Sequence, residues 1–130
     1  MIATIFIIYV PDQEAAKTFY EAVLGISPHL HVPGMTEFIL SEHAKLGIMP
    51  EKGIEKIICP ALPSPSSVEK IPRCELYFYV DRPEDYYQKA LLHGATDIVH
   101  AKNMDWGDRV AYVADPFGHV VAFAKKINSI

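Results

Sequence analysis

The chain has 130 residues, of which 50% are hydrophobic and 22% are charged, and its net charge at pH 7 is -4. This length fits a single domain whose core is large enough to fold without a disulfide or a metal ion. No apolar run approaches the roughly 18–20 residues that cross a bilayer, which argues against a membrane-spanning protein. The 12 Lys and Arg residues form no basic cluster, so nucleic acid is not an expected partner.

The first fifty residues predict a β-α-β-β-β unit. Residues 2–10 are apolar and largely β-branched, as in a strand with one face on a core and the other on an apolar cavity. Asp12 is placed to cap a helix whose apolar residues recur at helical spacing, and Gly25 is placed to end it. Three short extended segments follow, over residues 28–32, 36–40 and 45–49.

The second half of the chain repeats this order. A strand is predicted over residues 75–80, and a helix begins at Pro83 and ends at Gly94. Three further strands, over residues 97–101, 109–114 and 119–124, complete the unit. Residues 5–10 align with residues 75–80 at an offset of 70, which favours a duplicated module within one domain of residues 1–130. The modules are residues 1–50 and 74–126.

A proline-rich connector, residues 51–73, joins the two modules. Residues 50–72 contain five prolines, a composition typical of a long connector that is either disordered or folded over a site. Ile54, Ile57, Ile58 and Leu62 favour partial docking over disorder.

The two cysteines, Cys59 and Cys74, fit neither a metal motif nor a disulfide framework. The first residues show no secretory signal pattern. We therefore expect a cytoplasmic protein with reduced thiols, and no activated thiolate.

Two β-α-β-β-β units, the Phe19-Tyr20 to Leu24-Gly25 helix ending and the segment from Trp106 to His119 together resemble the vicinal oxygen chelate superfamily. This superfamily includes glyoxalase I, extradiol dioxygenases, fosfomycin-resistance thiol transferases and bleomycin-resistance proteins. The resemblance covers essentially the whole chain. It implies an α+β fold in which two βαβββ modules form paired U-shaped mixed sheets around a cavity, and it implies a homodimer.

Metalloenzymes of this superfamily carry metal ligands at four strand positions. By resemblance these positions fall on Ile5, at or next to Ile48, on Glu75 and on Ala122. A single carboxylate cannot hold a divalent ion against water. His29 and His31 share a strand face but have no third donor, so we expect neither a metal nor another cofactor.

Strand alternation places Glu75, Tyr77 and Tyr79 on the cavity face if Leu76, Phe78 and Val80 point to the helix. Trp106 falls where, by resemblance, bleomycin-resistance proteins carry an aromatic residue of the drug pocket. Arg109 shares the face if Ala114 pairs with His119, whereas a shift of one residue turns it away. Phe38 and Met49 are further predicted wall residues.

Structural interpretations of the same residues stay open. Tyr77 and Tyr79 are equally typical of a core, and Glu75 is placed to form a buried ion pair with Arg109. His93, His100 and His119 are expected at the surface, and Asp115 is first of all a turn residue.

These residues predict a metal-independent protein that binds a small organic molecule, in the manner of bleomycin-resistance proteins. The main alternative is a glyoxalase-like lyase or isomerase in which a buried Glu75 acts as the base and Arg109 stabilises an enolate. A third possibility is a protein that recognises another protein through an apolar patch at residues 54–62.

Overall fold

The computed structural model describes residues 1–68 and 71–127. The chain forms two compact units, Met1–Glu69 and Lys70–Ile130, and each contains one four-stranded mixed sheet. The α+β architecture and the β-α-β-β-β order of each half, predicted from the sequence, are both confirmed. In the part of the chain that the structure describes, no helix has the length and apolarity needed to cross a membrane.

The first unit contains a sheet of order β1-β4-β3-β2, in which β1 pairs with β4 in parallel and the other pairs are antiparallel. Two helices accompany it. The elements in chain order are β1 (Thr4–Val10), α1 (Gln13–Leu24), β2 (Leu30–Val32), β3 (Met35–Ser41), β4 (Ala44–Pro50) and α2 (Glu51–Ile58).

The predicted capping residues begin and end α1 as expected. The side chain of Asp12 accepts a hydrogen bond from the Ala15 backbone N–H at 3.1 Å, which satisfies one of the free donors at the helix start. Gly25 ends the helix with a left-handed backbone, φ 71°. The buried face of α1 packs on β3 and β4, and the core contains Phe19, Tyr20, Ile8, Val10, Leu46 and Ile48.

The helix α2 occupies part of the segment predicted as a connector. Ile54 is buried and α2 contacts β4 and β1, so partial docking of this segment is confirmed although its helical conformation was not foreseen. Pro50 and Gly53 obscured the helical pattern, since both residues are poor helix formers. Residues 69 and 70 of the predicted connector lie outside the described residues.

The second unit repeats the topology, with strand order β5-β8-β7-β6 and a parallel β5–β8 pair. Its elements are β5 (Glu75–Tyr79), α3 (Pro83–Leu92), β6 (Thr96–Asn103), β7 (Asp108–Ala114) and β8 (Val120–Lys126). The helix α3 packs on one face of this sheet, where Phe123 lies 6.3 Å from Phe78 and 5.5 Å from Tyr86 between ring centroids. The prediction that Phe78 points to the helix is therefore confirmed.

The turn between β7 and β8 is fixed by a buried side-chain pair. Asp115 Oδ1 accepts hydrogen bonds from the backbone N–H groups of Phe117 and His119, and Asp115 Oδ2 lies 2.8 Å from His119 Nδ1. The prediction that His119 lies at the surface is wrong, because its imidazole is buried against this carboxylate. His93 and His100 are exposed as expected.

Candidate functional site

The face of the second sheet that points away from α3 carries the candidate site. Across this face, Tyr77 of β5 and Tyr112 of β7 both pair with Ala122 of β8. Because side chains alternate along each strand, every second residue of these strands shares the face. We call this surface the aromatic face, and it is formed by Glu75, Tyr77, Tyr79, Asp108, Val110, Tyr112, Ala122, Ala124 and Lys126.

A hydrogen-bonded chain centred on Asp108 orders one end of the aromatic face. Tyr77 and Tyr79 both donate their hydroxyl protons to Asp108 Oδ2, at 2.6 and 2.8 Å. Trp106 Nε1 donates to the Tyr77 hydroxyl at 3.0 Å, and Lys126 Nζ donates to the Tyr79 hydroxyl at 3.4 Å. Asp108 is only 3% exposed, so these partners replace the water that its carboxylate would otherwise bind.

The chain sets the charge of its members. The hydrogen bond from Tyr77, followed by that from Tyr79 and the charge of Lys126, holds the pKa of Asp108 below its usual range. Burial and the bond to Asp108 raise the pKa of Tyr77 to about 12. At neutral pH the carboxylate is therefore ionised and the Tyr77 hydroxyl keeps its proton.

The rings of this chain offer a surface on which a flat molecule can stack. Tyr77 and Tyr79 lie edge to face with their centroids 5.4 Å apart, and Lys126 Nζ lies 4.8 Å from the centroid of the Tyr79 ring. The side chains of Tyr79 and Trp106 are each 55% exposed. Large aromatic side chains that are fixed by hydrogen bonds and still exposed are typical of binding surfaces.

Small residues form the floor beneath these rings. Val110, Ala122 and Ala124 are fully buried, and Tyr77, Met104 and Tyr112 pack against them. The rings of Tyr77 and Tyr112 therefore cover these small residues. Both the core and the pocket interpretations of Tyr77 hold in part, since its ring packs on the floor while its hydroxyl joins the Asp108 chain.

Glu75 lies on the aromatic face, as predicted, and pairs with Val120 of β8. It is exposed, whereas the lyase hypothesis requires a buried base. Glu75 and Arg109 form no ion pair within residues 1–68 and 71–127, since Arg109 pairs with Glu84. The alternative interpretation of a structural Glu75–Arg109 pair is therefore wrong.

Arg109 lies on the opposite face of the sheet. Ala114 pairs with Val120 and not with His119, and this shift of one residue turns Arg109 toward the helix side. There its Nε donates to Glu84 Oε1 at 3.2 Å and an Nη donates to Asn103 Oδ1 at 3.3 Å. The expectation that Arg109 sets the polarity of the cavity is therefore corrected, and the enolate-stabilising role in the lyase hypothesis loses its residue.

Phe38 and Met49, the predicted wall residues of the first unit, lie on opposite faces of its sheet. Phe38 pairs with Leu46 and is fully buried on the helix side, so it is a core residue and its assignment to a wall is corrected. Met49 pairs with Tyr9 on the other face, which it shares with Ile5, Ile7 and Gly47.

The positions that bind metal in the resembled enzymes do not fit a metal ion in this chain. Ile5 and Ala122 have no donor atoms, and Ile48 is buried in the helix-side core, leaving Gly47 or Met49 at that strand. His31 is held by Thr36 and Glu14, each at 2.7 Å. Among the described residues, no three His, Cys, Asp or Glu side chains are grouped closely enough to hold a metal ion.

Neither cysteine is part of the aromatic face. Both cysteines are free and exposed. Partial desolvation of the Cys74 thiol raises its pKa, and the negative charge of Asp115 raises it further. A thiol with a raised pKa carries little thiolate at neutral pH, which agrees with the expectation that Cys74 is not activated.

Sequence reasoning missed three polar residues of the aromatic face, Asp108, Tyr112 and Lys126. Asp108 and Lys126 are paired across β7 and β8, and Tyr112 lies four residues along β7 from Asp108. The alternation along β7 was the missing information, since the register that turns Arg109 to the helix side places Asp108 and Tyr112 together on the aromatic face.

Comparison with known proteins gives the family. The chain matches the model of the glyoxalase/bleomycin resistance protein/dioxygenase superfamily over residues 2–123. It therefore belongs to this superfamily, the vicinal oxygen chelate superfamily that its motifs resemble.

Solved structures share the fold at low sequence identity. A glyoxalase-related enzyme from Fulvimarina pelagi is similar with a TM-score of 0.80 and 19% identity, over 97% of this chain and 88% of that one. A glyoxalase/bleomycin resistance protein/dioxygenase family enzyme from Burkholderia phytofirmans gives 0.79 and 19%, over 94% and 96%. At these identities the likeness shows the fold alone.

Curated relatives match over a short segment. An uncharacterised protein from Mycobacterium bovis is 39% identical over 44 residues, which make up 34% of this chain and 29% of that protein. The match thus spans less than a third of that protein's length.

Proposed function

We propose that this protein binds a small organic molecule on its aromatic face without a metal ion, in the manner of the bleomycin-resistance members of its superfamily. The observation that supports this most directly is the Asp108 chain, which fixes Tyr77, Tyr79 and Trp106 while leaving two of the three rings exposed. Binding by stacking needs no reaction and no electrophile.

A metal-free site is supported by the side chains at the positions where metalloenzymes of the family carry ligands. Glu75 is the one donor among Ile5, Gly47, Met49, Glu75 and Ala122 that suits a hard divalent ion. The exposure of Glu75 and the position of Arg109 weigh against the lyase alternative.

We further propose a cytoplasmic homodimer. The edge strand β1 pairs with β4 alone in its sheet, and Ile5, Phe6 and Ile7 are 43%, 59% and 42% exposed along it. An exposed apolar edge strand without a charge or a proline favours association. The free, exposed Cys59 and Cys74 suit a reducing compartment.

Calorimetric titration of metal-stripped protein with 9-aminoacridine, acridine and acridine-9-carboxylate tests the binding function. We expect at least one of these flat probes to bind in the presence of a chelator, and Tyr79→Ala to weaken that binding at least tenfold. The control is Arg109→Ala, which changes the opposite face of the same sheet and leaves the affinity unchanged. Binding that appears only after Zn²⁺, Ni²⁺ or Mn²⁺ is added, or no binding of any probe, overturns the proposal.

Sedimentation velocity tests the dimer. Ile7→Glu places a charge on the exposed face of β1 and should convert the dimer to a monomer. Ile57→Glu makes the same kind of change on the exposed side of α2 and should leave the dimer intact. Sedimentation of the unaltered chain as a monomer at micromolar concentration rules the dimer out.

A further inference from the structure

We propose that Glu75 and Tyr112 form the polar anchor of the aromatic face, and that the ligand is a flat molecule carrying a cationic or N–H donor group. This inference rests on the proposed binding function and names the chemical class of its ligand. It also adds a binding residue, Tyr112, that the sequence did not indicate.

The strand register brings the two groups to one end of the face. Tyr112 and Tyr77 flank Ala122, so their Cα atoms lie about 10 Å apart, twice the spacing between neighbouring strands. Glu75 lies one row further along β5. Burial, followed by the negative charge of Glu75, raises the pKa of Tyr112, which places the carboxylate within electrostatic reach of the ring and keeps the hydroxyl protonated.

Among the described residues, Glu75 and Tyr112 differ from the other polar groups of the face in having no hydrogen-bond partner. Tyr77, Tyr79 and Lys126 all direct donors along the Asp108 chain. Within residues 1–68 and 71–127, neither the Tyr112 hydroxyl nor the Glu75 carboxylate makes a hydrogen bond, and Glu75 forms no ion pair. These two groups are thus free to bind a ligand without breaking a contact of the protein.

The charges of the face favour a donor over an acceptor. Lys126 lies opposite Asp108 and donates a hydrogen bond to Tyr79. The negative charge of Asp108 therefore balances the positive charge of Lys126. Lys102, on the outer strand β6, pairs with Val110 of β7. Strand β6 is three strand spacings, about 14 Å, from β5. Within residues 1–68 and 71–127 the Glu75 carboxylate forms no ion pair, and the negative faces of the tyrosine rings add attraction for a cation. An anionic ligand beside Glu75 meets repulsion from its carboxylate.

Three probes of one shape separate charge from stacking. At neutral pH, 9-aminoacridine is a cation with N–H donors, acridine is neutral, and acridine-9-carboxylate is an anion. Calorimetry, with quenching of the chain's single tryptophan as a second readout, should give 9-aminoacridine an affinity at least tenfold above that of acridine. The carboxylate should bind most weakly.

Two variants assign this preference to the anchor. Glu75→Gln should remove most of the advantage of 9-aminoacridine, and Tyr112→Phe should lower its affinity several-fold, while both leave acridine binding within about twofold. Because each change removes a group with no partner in the described chain, the unfolding midpoint should not move. Glu84→Gln and Tyr86→Phe make the same chemical changes on the α3 side and serve as matched controls.

The outcomes distinguish the two proposals. Equal affinities for the three probes, or a cation preference that survives Glu75→Gln, overturn the anchor while leaving the binding function standing. An unaltered 9-aminoacridine affinity in Tyr112→Phe overturns the role of Tyr112. Failure of all three probes to bind overturns the binding function and, with it, the anchor.

Discussion

The indole N–H of Trp106 donates a hydrogen bond to the hydroxyl of Tyr77 at 3.0 Å. Trp106 is the single tryptophan of the chain, so its fluorescence reports on one place, the end of the aromatic face where the Asp108 chain begins. This contact couples a spectroscopic signal to the state of a proposed binding surface.

Replacing Tyr77 with Phe tests that coupling. The indole loses its acceptor and its tie to the sheet, so we expect Trp106 emission to move to longer wavelength and its quenching by iodide to increase. Tyr86→Phe removes a hydroxyl on the α3 side and should change neither property. An emission spectrum of Tyr77→Phe identical to that of the unaltered protein would show that the two side chains are not in contact.

The ionised state of Asp108 should contribute to stability in a pH-dependent way. Because its pKa in the folded protein is depressed, the contribution is present above the unfolded pKa and is lost as the pH falls through the folded one. We expect the urea midpoint of the unaltered protein to fall below about pH 4, where carboxylates of ordinary pKa also begin to protonate.

The Asp108→Asn variant supplies the comparison for this pH dependence. It should be less stable at neutral pH, since its amide replaces a carboxylate that accepts two phenolic protons, and it should lose less stability on acidification. Asp105→Asn, at an exposed position near Trp106, is the control. Parallel pH profiles for Asp108→Asn and the unaltered protein would contradict the depressed pKa.

Two glycines of the first unit should respond in opposite directions to alanine. A Cβ on Gly47 would lie 3.0 Å from Ile7 Cγ1 and 3.2 Å from Ile5 Cγ2. Because isoleucine is stiff about its first side-chain torsion, we expect Gly47→Ala to destabilise the protein by about 1 kcal/mol. Gly53 lies inside α2, where Gly53→Ala should stabilise by about 0.5–1 kcal/mol. Urea unfolding measures both, and a stabilised Gly47→Ala would contradict the close packing of these strands.

Phe38 should act as a core residue and not as a ligand contact. Truncation of a fully buried phenylalanine removes packing and leaves a cavity, so Phe38→Ala should lower the free energy of unfolding by about 3–5 kcal/mol. The folded fraction should bind 9-aminoacridine with unchanged affinity. A loss of affinity at full folding would return Phe38 to the binding site.

Local signals in the sequence were sufficient to predict the fold. The Asp12 cap, the left-handed Gly25 and the alternation along β5 each depend on neighbours within a few residues, and each occurs as expected. The helix α2 was missed because it has only eight residues, follows Pro50 and contains Gly53, and it is held by packing against β4 and β1.

The candidate site was harder to predict because it depends on register. Glu75, Tyr77 and Tyr79 could be placed from the alternation of one strand alone. The faces of Arg109 and Asp108 depend on the β7–β8 pairing, and the observed pairing differs by one residue from the one expected, which places each on the opposite face. Side chains alternate between the two faces of a strand. A pairing error of one residue at the turn therefore assigns every side chain of the strand to the wrong face. Tyr112 was missed for the same reason.

The buried pair of Asp115 and His119 consequently governs more than the hairpin that it closes. By holding Ala114 opposite Val120, it determines that Asp108, Val110 and Tyr112 of β7 lie on the aromatic face. Insertion or deletion of one residue in this bend would substitute Arg109, Ala111 and Val113, turning an acidic, phenolic surface into a basic, aliphatic one. The polarity of the proposed binding surface is thus determined at a turn that lies outside that surface.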